Sequence, residues 1–309
     1  MSRIEVRAED VLTLAAALGL LAVLGTKSLS TIRLSEGNYW DFAFILLPVA
    51  LLVLGASIRY AFRPAGAPGV LEVSTRTGGI LRDWSPFLVF LMLYESFRLN
   101  TWNVVSKVDK DPMLLRWDRA LFGETPSVFF DSGIRDWLTQ AMTIAYFLHL
   151  ILPPLIGLVW YRRDLRVFRQ FLLTVLVAGI IGSEGYIVVP AIGPGSAFPS
   201  LYRHTLRGAT YENVTGLIDT ARAFRDVFPS LHVAISSIVL WFAWRRSRWF
   251  GAVVLPLIVA NWVSTMYLRY HYMVDVIAGW ATAALAIAIA LFILRIEDAV
   301  RARVRASPV

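Results

Sequence analysis

The feature that most constrains this chain is a series of apolar runs, each about as long as a membrane is thick. An α-helix needs ~20 consecutive apolar residues to cross the ~30 Å hydrocarbon core of a bilayer. Because backbone polar groups in lipid must be satisfied within their own segment, such runs predict helices. The expected fold is therefore all-α, a polytopic membrane helical bundle of about eight transmembrane helices. The eight candidate spans are 11–30, 40–62, 84–100, 137–161, 168–189, 229–247, 250–268 and 271–295.

Composition supports this expectation and removes several other classes of protein. Of the 309 residues, 57% are hydrophobic, which is more apolar surface than a soluble domain of this length can bury. The formal net charge is +8, but the arginines form short clusters between apolar runs, as in Tyr161–Arg163 and Arg245–Arg248. This pattern is typical of membrane topology and does not indicate a nucleic-acid partner. The chain has no cysteine, which excludes disulfides and thiolate chemistry.

The arginine-rich short loops also predict the orientation. Lys and Arg accumulate in the cytoplasmic loops of membrane proteins, so we assign the N-terminal face and a tail at 297–309 to the cytoplasm. The long segments 101–136 and 190–228 then lie on the opposite face. The expected location is a bacterial inner membrane, with the functional site facing the periplasm or the cell exterior. A Gly/Pro-rich linker at 63–69 predicts that 1–83 form a separate unit of two N-terminal transmembrane helices and the linker.

Both long segments are predicted to cover the functional site. The first contains Asp111-Pro112 and a helix stop at Gly123, a pattern that favours a short amphipathic helix lying in the membrane interface. The second mixes glycine, proline, aromatic and arginine residues, and loops of this length are usually functional or disordered. We expect the two segments to roof a cavity and to select the headgroup.

Two histidines and one aspartate stand out as candidate catalytic residues. His232 follows Pro229-Ser230-Leu231 near the start of the sixth apolar run, and His271 begins the eighth. One helical hairpin separates these runs, so both histidines are expected at the same membrane face. His271 and Asp275 are four residues apart, which places them on one face of a helix. The carboxylate can fix the tautomer of the imidazole, and a helix start favours a bound anion such as phosphate.

A structural role is the alternative for each of these residues. A single histidine near a membrane interface most often makes local hydrogen bonds, and this is our interpretation of His149 and His204. Two histidines at equivalent helix starts, with an aspartate in register, favour a functional site instead, because ionisable groups within spans are costly.

Pro229-Ser230-Leu231-His232 and the stretch from Ser264 to Asp275 resemble the second and third signature motifs of the type 2 phosphatidic acid phosphatase superfamily. The resemblance covers residues 84–296 and implies a six-helix catalytic core that works through a phosphohistidine. It implies that His271 is the nucleophile, that Asp275 is its orienting carboxylate and that His232 is the acid that protonates the leaving oxygen.

The two motifs also depart from the superfamily pattern. Leu231 stands where the second motif has glycine, and Thr265 stands where the third has a phosphate-binding arginine. Together with the run from Asp118 to Gly123, this pattern is similar to the inositol phosphorylceramide synthase-like branch of lipid phosphotransferases. For the arginines near the site, the alternative is an interfacial position among lipid headgroups. The candidate phosphate- and substrate-binding residues are Ser230, Arg269, Arg98, Arg203 and Tyr267.

The sequence therefore predicts a membrane-embedded lipid phosphotransferase without cofactor or metal ion. Its expected partners are membrane lipids, a lipid-phosphate donor and a polyol or sugar acceptor. Three alternatives stay open. A lipid phosphate or pyrophosphate phosphatase would use water as acceptor, and a non-catalytic lipid transporter or scramblase would only hold headgroups. A metal hydrolase would use His232, His271 and Asp275 as ligands.

Overall fold

The structure, a computed structural model, describes the chain at residues 7–8, 10–15, 79–92, 94, 108–213 and 225–306. Within these ranges all regular structure is helical, which confirms the predicted all-α fold. The chain divides into two compact units, Met1–Ser96 and Phe97–Val309. The division predicted from the sequence, at 1–83, 84–296 and 297–309, stays a prediction.

The first unit contains helical residues at 10–15 and 79–92. Ion pairs connect these two stretches, because Arg7 pairs with Asp83 and Arg82 pairs with Asp10. The first two predicted spans lie almost wholly outside the described residues. The third is helical at 84–92, and its remaining part, which includes Arg98, lies mostly outside them.

The described residues of the second unit form six longer helices, which we number from its start. Four of them, α2, α3, α5 and α6, are long and apolar enough to cross a membrane, and they correspond to the fourth, fifth, seventh and eighth predicted spans. The helices are α1 (Asp111–Phe122), α2 (Asp136–Arg163), α3 (Leu165–Val188), α4 (Leu231–Arg246), α5 (Arg248–Tyr267) and α6 (Met273–Ala306).

Side-chain caps and tight connections set the course of the chain between these helices. Asp164 caps α3, Ser230 caps α4 and Ser247 caps α5, each by accepting a hydrogen bond from a backbone N–H of the first turn. Only Asp164 separates α2 from α3, and only Ser247 separates α4 from α5. The chain therefore reverses direction at the arginine clusters, and α4 and α6 both begin at the opposite end of the bundle.

α4 lies at the centre of the helices of the second unit, since it packs against α2, α3, α5 and α6. Its 16 residues span about 24 Å, which is less than the ~30 Å of a hydrocarbon core. Two glycines allow its neighbours to approach closely. A Cβ atom at Gly279 of α6 would lie 2.6 Å from the Ser230 carbonyl oxygen, and one at Gly182 of α3 would lie 2.6 Å from Leu231 Cδ2. This close packing places the start of α4 directly against α6.

Candidate active site

His232, His271 and Asp275 meet at the end of the bundle where α4 and α6 begin. His271 Nε2 lies 3.3 Å from His232 Nδ1, and His271 Nδ1 lies 3.5 Å from Asp275 Oδ2. The side chains of His271 and Asp275 are buried, whereas His232 is partly exposed. The predicted convergence is confirmed, because each nitrogen of the His271 ring faces a second titratable group.

His271 is not part of α6, contrary to the predicted helical register. α6 begins at Met273, and His271 lies in the preceding connection. There the backbone N–H of His271 donates to the Thr265 carbonyl oxygen at 3.1 Å. Asp275 is in the first turn of α6, and its Oδ2 accepts the Tyr272 N–H at 2.8 Å. The imidazole and the carboxylate therefore meet because Asp275 caps the helix start, and not because the two residues share a helical face.

The ring of His232 belongs to an aromatic group that sequence reasoning missed. Its centroid lies 4.0 Å from that of His149 and 4.5 Å from that of Tyr146. His149 Nδ1 also hydrogen-bonds the Tyr146 carbonyl oxygen at 2.5 Å, so Nδ1 carries the proton and Nε2 is the acceptor nitrogen of the neutral ring. The interpretation of His149 as a residue with only local hydrogen bonding was therefore incomplete. The three-residue spacing of Tyr146 and His149, which puts both on one face of α2, is the signal that pointed to such a group.

Ser230 connects the starts of α4 and α6. Its hydroxyl accepts the Val233 N–H at 3.4 Å, and its own N–H donates to the Asp275 carbonyl oxygen at 3.1 Å. The residue is fully buried. Its predicted contact with phosphate stays a prediction, while its backbone N–H already has a protein acceptor.

Two of the predicted phosphate-binding arginines meet at Asp131. Arg269 Nη2 lies 2.9 Å from Asp131 Oδ1 and donates to the His204 carbonyl oxygen at 2.6 Å. The Arg203 N–H donates to Asp131 Oδ2 at 3.0 Å, while the Arg203 side chain is exposed. Burial alone would raise the pKa of Asp131, but hydrogen bonds from His204 and Arg203 and the charge of Arg269 lower it. The structure thus gives Arg269 a carboxylate partner within the protein.

Tyr267 and Arg98 are the remaining candidates for substrate binding. Tyr267 is buried, and its hydroxyl lies 3.0 Å from Thr139 Oγ1, which joins α5 to α2. Arg98 lies outside the described residues. For both residues the predicted role in substrate binding stays a prediction.

α1 carries two buried carboxylates that hold other parts of the site. Asp111 accepts hydrogen bonds from the N–H groups of residues 192–193 and from the Tyr272 hydroxyl, each at 2.9 Å. Asp118 accepts hydrogen bonds from the N–H groups of residues 273–274, at 3.1 and 2.9 Å. The first N–H groups of α6 are therefore satisfied partly by a carboxylate from a different helix.

Sequence reasoning had not assigned these contacts to Asp111 and Asp118. The available signal was their spacing, since they share the buried face of α1 with Leu114 and Leu115, and a carboxylate on a buried face needs hydrogen-bond donors. Burial raises the pKa of both carboxyl groups. The opposite face of α1 exposes Trp117, so the helix is amphipathic as expected, and its position in the membrane interface stays a prediction.

Among the residues that the structure describes, no group of three or more His, Asp or Glu side chains is arranged to hold a metal ion.

Comparison with known proteins adds two findings. A family model described as PAP2 superfamily matches residues 112–289, more than half of the 309 residues. A relative named phosphoinositol dihydroceramide synthase, from Bacteroides thetaiotaomicron, is 26% identical over 227 residues, and the match covers 65% of this chain and 73% of the relative. No solved structure matches the chain.

Proposed function

From the premise that this chain belongs to the PAP2 superfamily, we propose that the protein is a membrane-embedded lipid phosphotransferase. It moves a phosphate-containing headgroup from a phospholipid to an alcohol through a phosphohistidine on His271. The observation that carries this proposal is the position of His271 between His232 and Asp275, at 3.3 and 3.5 Å. A nucleophile with a proton-transfer group on one side and an orienting carboxylate on the other is the arrangement that covalent catalysis requires.

In the first step His271 Nε2 attacks the phosphorus of the donor lipid. The bond between phosphorus and the lipid alcohol oxygen breaks, and His232 gives its proton to that oxygen. Asp275 stabilises the positive charge that the His271 ring acquires. The N-terminal ends of α4 and α6 carry partial positive charge, which favours a phosphate at this end of the bundle.

In the second step an acceptor alcohol gives its proton to His232. The acceptor oxygen attacks the phosphorus, the bond from nitrogen to phosphorus breaks, and the neutral His271 is restored. If water takes the place of the alcohol, the same steps hydrolyse the lipid. The name of the Bacteroides relative, a synthase of phosphoinositol dihydroceramide, supports transfer to an alcohol over hydrolysis.

Donor binding has to change one contact of the site. His232 Nδ1 lies 3.3 Å from the nitrogen that attacks phosphorus, so the two rings occupy the space that the phosphoryl group needs. In-line attack places the leaving oxygen on the far side of phosphorus from His271. The His232 ring therefore has to turn away from His271 and toward the leaving oxygen when the donor binds.

The expected location is a bacterial inner membrane, with the site facing the periplasm or the cell exterior. The support for this orientation is the position of the arginine clusters at the end of the bundle opposite to the two histidines. The chain has no cysteine, so single exposed positions can be labelled with a thiol reagent. Thr205→Cys should be labelled from outside intact cells, and Arg163→Cys only after the membrane is opened.

The decisive experiment looks for the phosphoenzyme. The purified chain is incubated with phosphatidylinositol radiolabelled in its phosphate, with dihydroceramide, inositol or glycerol as acceptor or with none. With a labelled donor that carries a nitrophenyl leaving group, which needs little protonation, His232→Ala should accumulate acid-labile label on the protein, because no base remains to activate the acceptor. His271→Ala should carry no label and form no product. As a control, Trp249→Phe changes a largely exposed side chain at the start of α5, at the other end of the bundle, and should behave like the unchanged protein.

The alternatives predict other outcomes. A phosphatase releases a water-soluble headgroup phosphate without acceptor and forms no new lipid when an acceptor is added. A transporter or scramblase moves labelled lipid between leaflets with equal rates before and after His271→Ala. A metal hydrolase loses activity with a chelator and regains it with added metal. Full turnover by His271→Ala would refute the phosphohistidine mechanism.

A further inference from the structure

The segment that carries His271 is held on its C-terminal side by α1. Asp118 accepts the N–H groups of residues 273–274 at 3.1 and 2.9 Å, and Asp111 Oδ1 accepts the Tyr272 hydroxyl at 2.9 Å. The first turn of a helix has N–H groups without intrahelical acceptors. Two carboxylates on one buried face of α1 thus bind the three residues that directly follow His271.

The N-terminal side of His271 is held by the chain that follows α1. Arg269, two residues before His271, pairs with Asp131 at 2.9 Å. Its guanidinium lies 4.2 Å from the centroid of the Tyr202 ring. The Tyr202 hydroxyl in turn lies 2.8 Å from Ser127 Oγ. Both flanks of His271 are therefore fixed by residues from one stretch of chain, 111–131.

Thr125 connects the two anchors. Its hydroxyl donates to Asp118 Oδ2 at 2.6 Å and lies 3.3 Å from Ser127 Oγ. Asp118 of α1 binds the start of α6. A continuous series of polar contacts therefore runs from Asp118, through Thr125 and Ser127, to Tyr202, whose ring contacts the Arg269 guanidinium. Asp118, Thr125 and Ser127 are all buried, and in a buried network each partner restricts the others.

We propose that Asp118 is a positioning residue for His271, and that residues 111–131 form a frame that fixes this nucleophile for attack on phosphorus. The inference rests on the proposed function, because it assigns a role relative to the attacking nitrogen. Displacement of a reacting atom by ~1 Å can lower turnover by ~10²-fold. The role of this segment in headgroup selection stays a separate prediction.

A carboxylate is suited to this position because both of its oxygens accept hydrogen bonds, whereas an asparagine side chain has one acceptor and one donor. Asp118→Asn keeps the size of the side chain but turns an N–H group toward the backbone N–H of Met273 or Val274. The start of α6 should then move, and the attacking nitrogen with it. Asp118→Glu keeps both acceptor oxygens on a longer side chain.

The experiment measures the rate at which label from radiolabelled phosphatidylinositol reaches the protein, and the steady-state kcat and KM, with the full chain in lipid nanodiscs. Asp118→Asn should lower the labelling rate and kcat by ~10²-fold with KM nearly unchanged, and Asp118→Glu should recover part of the loss. Rates are divided by the fraction of folded protein, so a loss of stability alone leaves them unchanged. The matched control is Asp298→Asn, which removes an exposed ion pair with Arg166 at the other end of the bundle and should leave both rates unchanged.

The result that overturns the inference is a folded Asp118→Asn protein with the unchanged labelling rate. If Asp118→Asn does not fold, Tyr272→Phe decides the question, because it removes only the hydroxyl that Asp111 accepts. A slower labelling rate in Tyr272→Phe supports the frame, and an unchanged rate refutes it. Failure of the proposed function has a different signature, since it appears as activity in His271→Ala.

Discussion

The starts of α4 and α6 face each other and each bears a histidine, but they are built in different ways. α4 is capped from its own sequence by Ser230, and His232 is the second residue of the helix. α6 is capped by carboxylates, one from its own first turn and one from α1, and His271 lies before its first residue. One histidine is therefore part of a helix, and the other is part of a connection fixed from outside.

This difference fits the two roles proposed for the side chains, His271 as the nucleophile and His232 as the proton-transfer group. His271 is only 2% exposed, and hydrogen bonds hold the backbone on both sides of it, as a nucleophile that must return to one position requires. His232 is partly exposed, and apart from His271 the ring contacts described for it are with His149 and Tyr146. Such contacts are less directional than hydrogen bonds. A ring held in this way can turn from its contact with His271 toward the position where the leaving oxygen departs in the first step and the acceptor oxygen enters in the second.

Among the variants that test this comparison, Asp275→Asn is expected to cause the largest loss of turnover. It changes the carboxylate beside His271, the histidine whose backbone is fixed on both sides. The amide keeps the shape of the side chain but cannot stabilise a positive His271 ring, and the corresponding change in a serine protease triad costs ~10⁴-fold in turnover. We expect a similar loss in single-turnover labelling. Asp136→Asn, which changes an exposed aspartate at the start of α2, is the control. A loss of less than tenfold would mean that Asp275 only caps α6.

A smaller loss of turnover is expected from His232→Ala, which removes the ring that can turn. General acid–base catalysis contributes ~10²- to 10⁴-fold, and its part in the first step depends on the leaving group. A donor with a nitrophenyl leaving group needs little protonation, so it should restore labelling of His232→Ala while transfer to the acceptor stays slow. The same donor should not rescue Asp275→Asn, whose defect lies in the nucleophile. Equal rescue of both variants would contradict the assignment of leaving-group protonation to His232 and of the nucleophile to His271.

His149→Ala tests whether ring contacts position His232. A favourable aromatic pair contributes ~1 kcal/mol, which corresponds to somewhat less than tenfold in rate. We expect kcat to fall by about this factor with normal lipid binding, and His149→Phe to recover part of it. Tyr161→Leu removes a comparable ring contact with Phe168, at 4.8 Å, near the opposite end of α2 and should leave kcat unchanged. Unchanged kcat in His149→Ala would show that His232 does not depend on this neighbour.

The smallest effect is a pH-dependent change in stability at Asp131, which anchors Arg269 before His271. Its folded-state pKa is lowered, so the unfolded chain binds more protons near the ordinary pKa of ~3.9, and stability rises with pH through that range. The contribution is fully present above the unfolded pKa and is lost as pH falls through the folded pKa. Asp131→Asn should therefore lower the melting temperature by about 5 °C at neutral pH, with a shrinking difference in acid. A pH-independent difference would contradict this account.

Much of the helical architecture could be predicted from local sequence, because the length and polarity of an apolar run are local properties. The predicted spans 137–161 and 168–189 differ by only a few residues from α2 and α3. The pairing of His232 with His271 followed from counting one hairpin between two helix starts. The predicted register of His271 was wrong, because the sequence pattern did not reveal that α6 begins only at Met273.

The sequence by itself determined that this chain forms membrane-spanning helices and that two histidines and an aspartate lie at one end of them. Only the tertiary structure decided what holds these residues in place. Asp118 and Met273 are 155 residues apart, and His149 and His232 belong to different helices. A buried carboxylate must find hydrogen-bond donors, so the sequence can indicate that Asp118 needs partners. Which donors it meets depends on how whole helices pack against each other, and a local sequence pattern does not predict that packing.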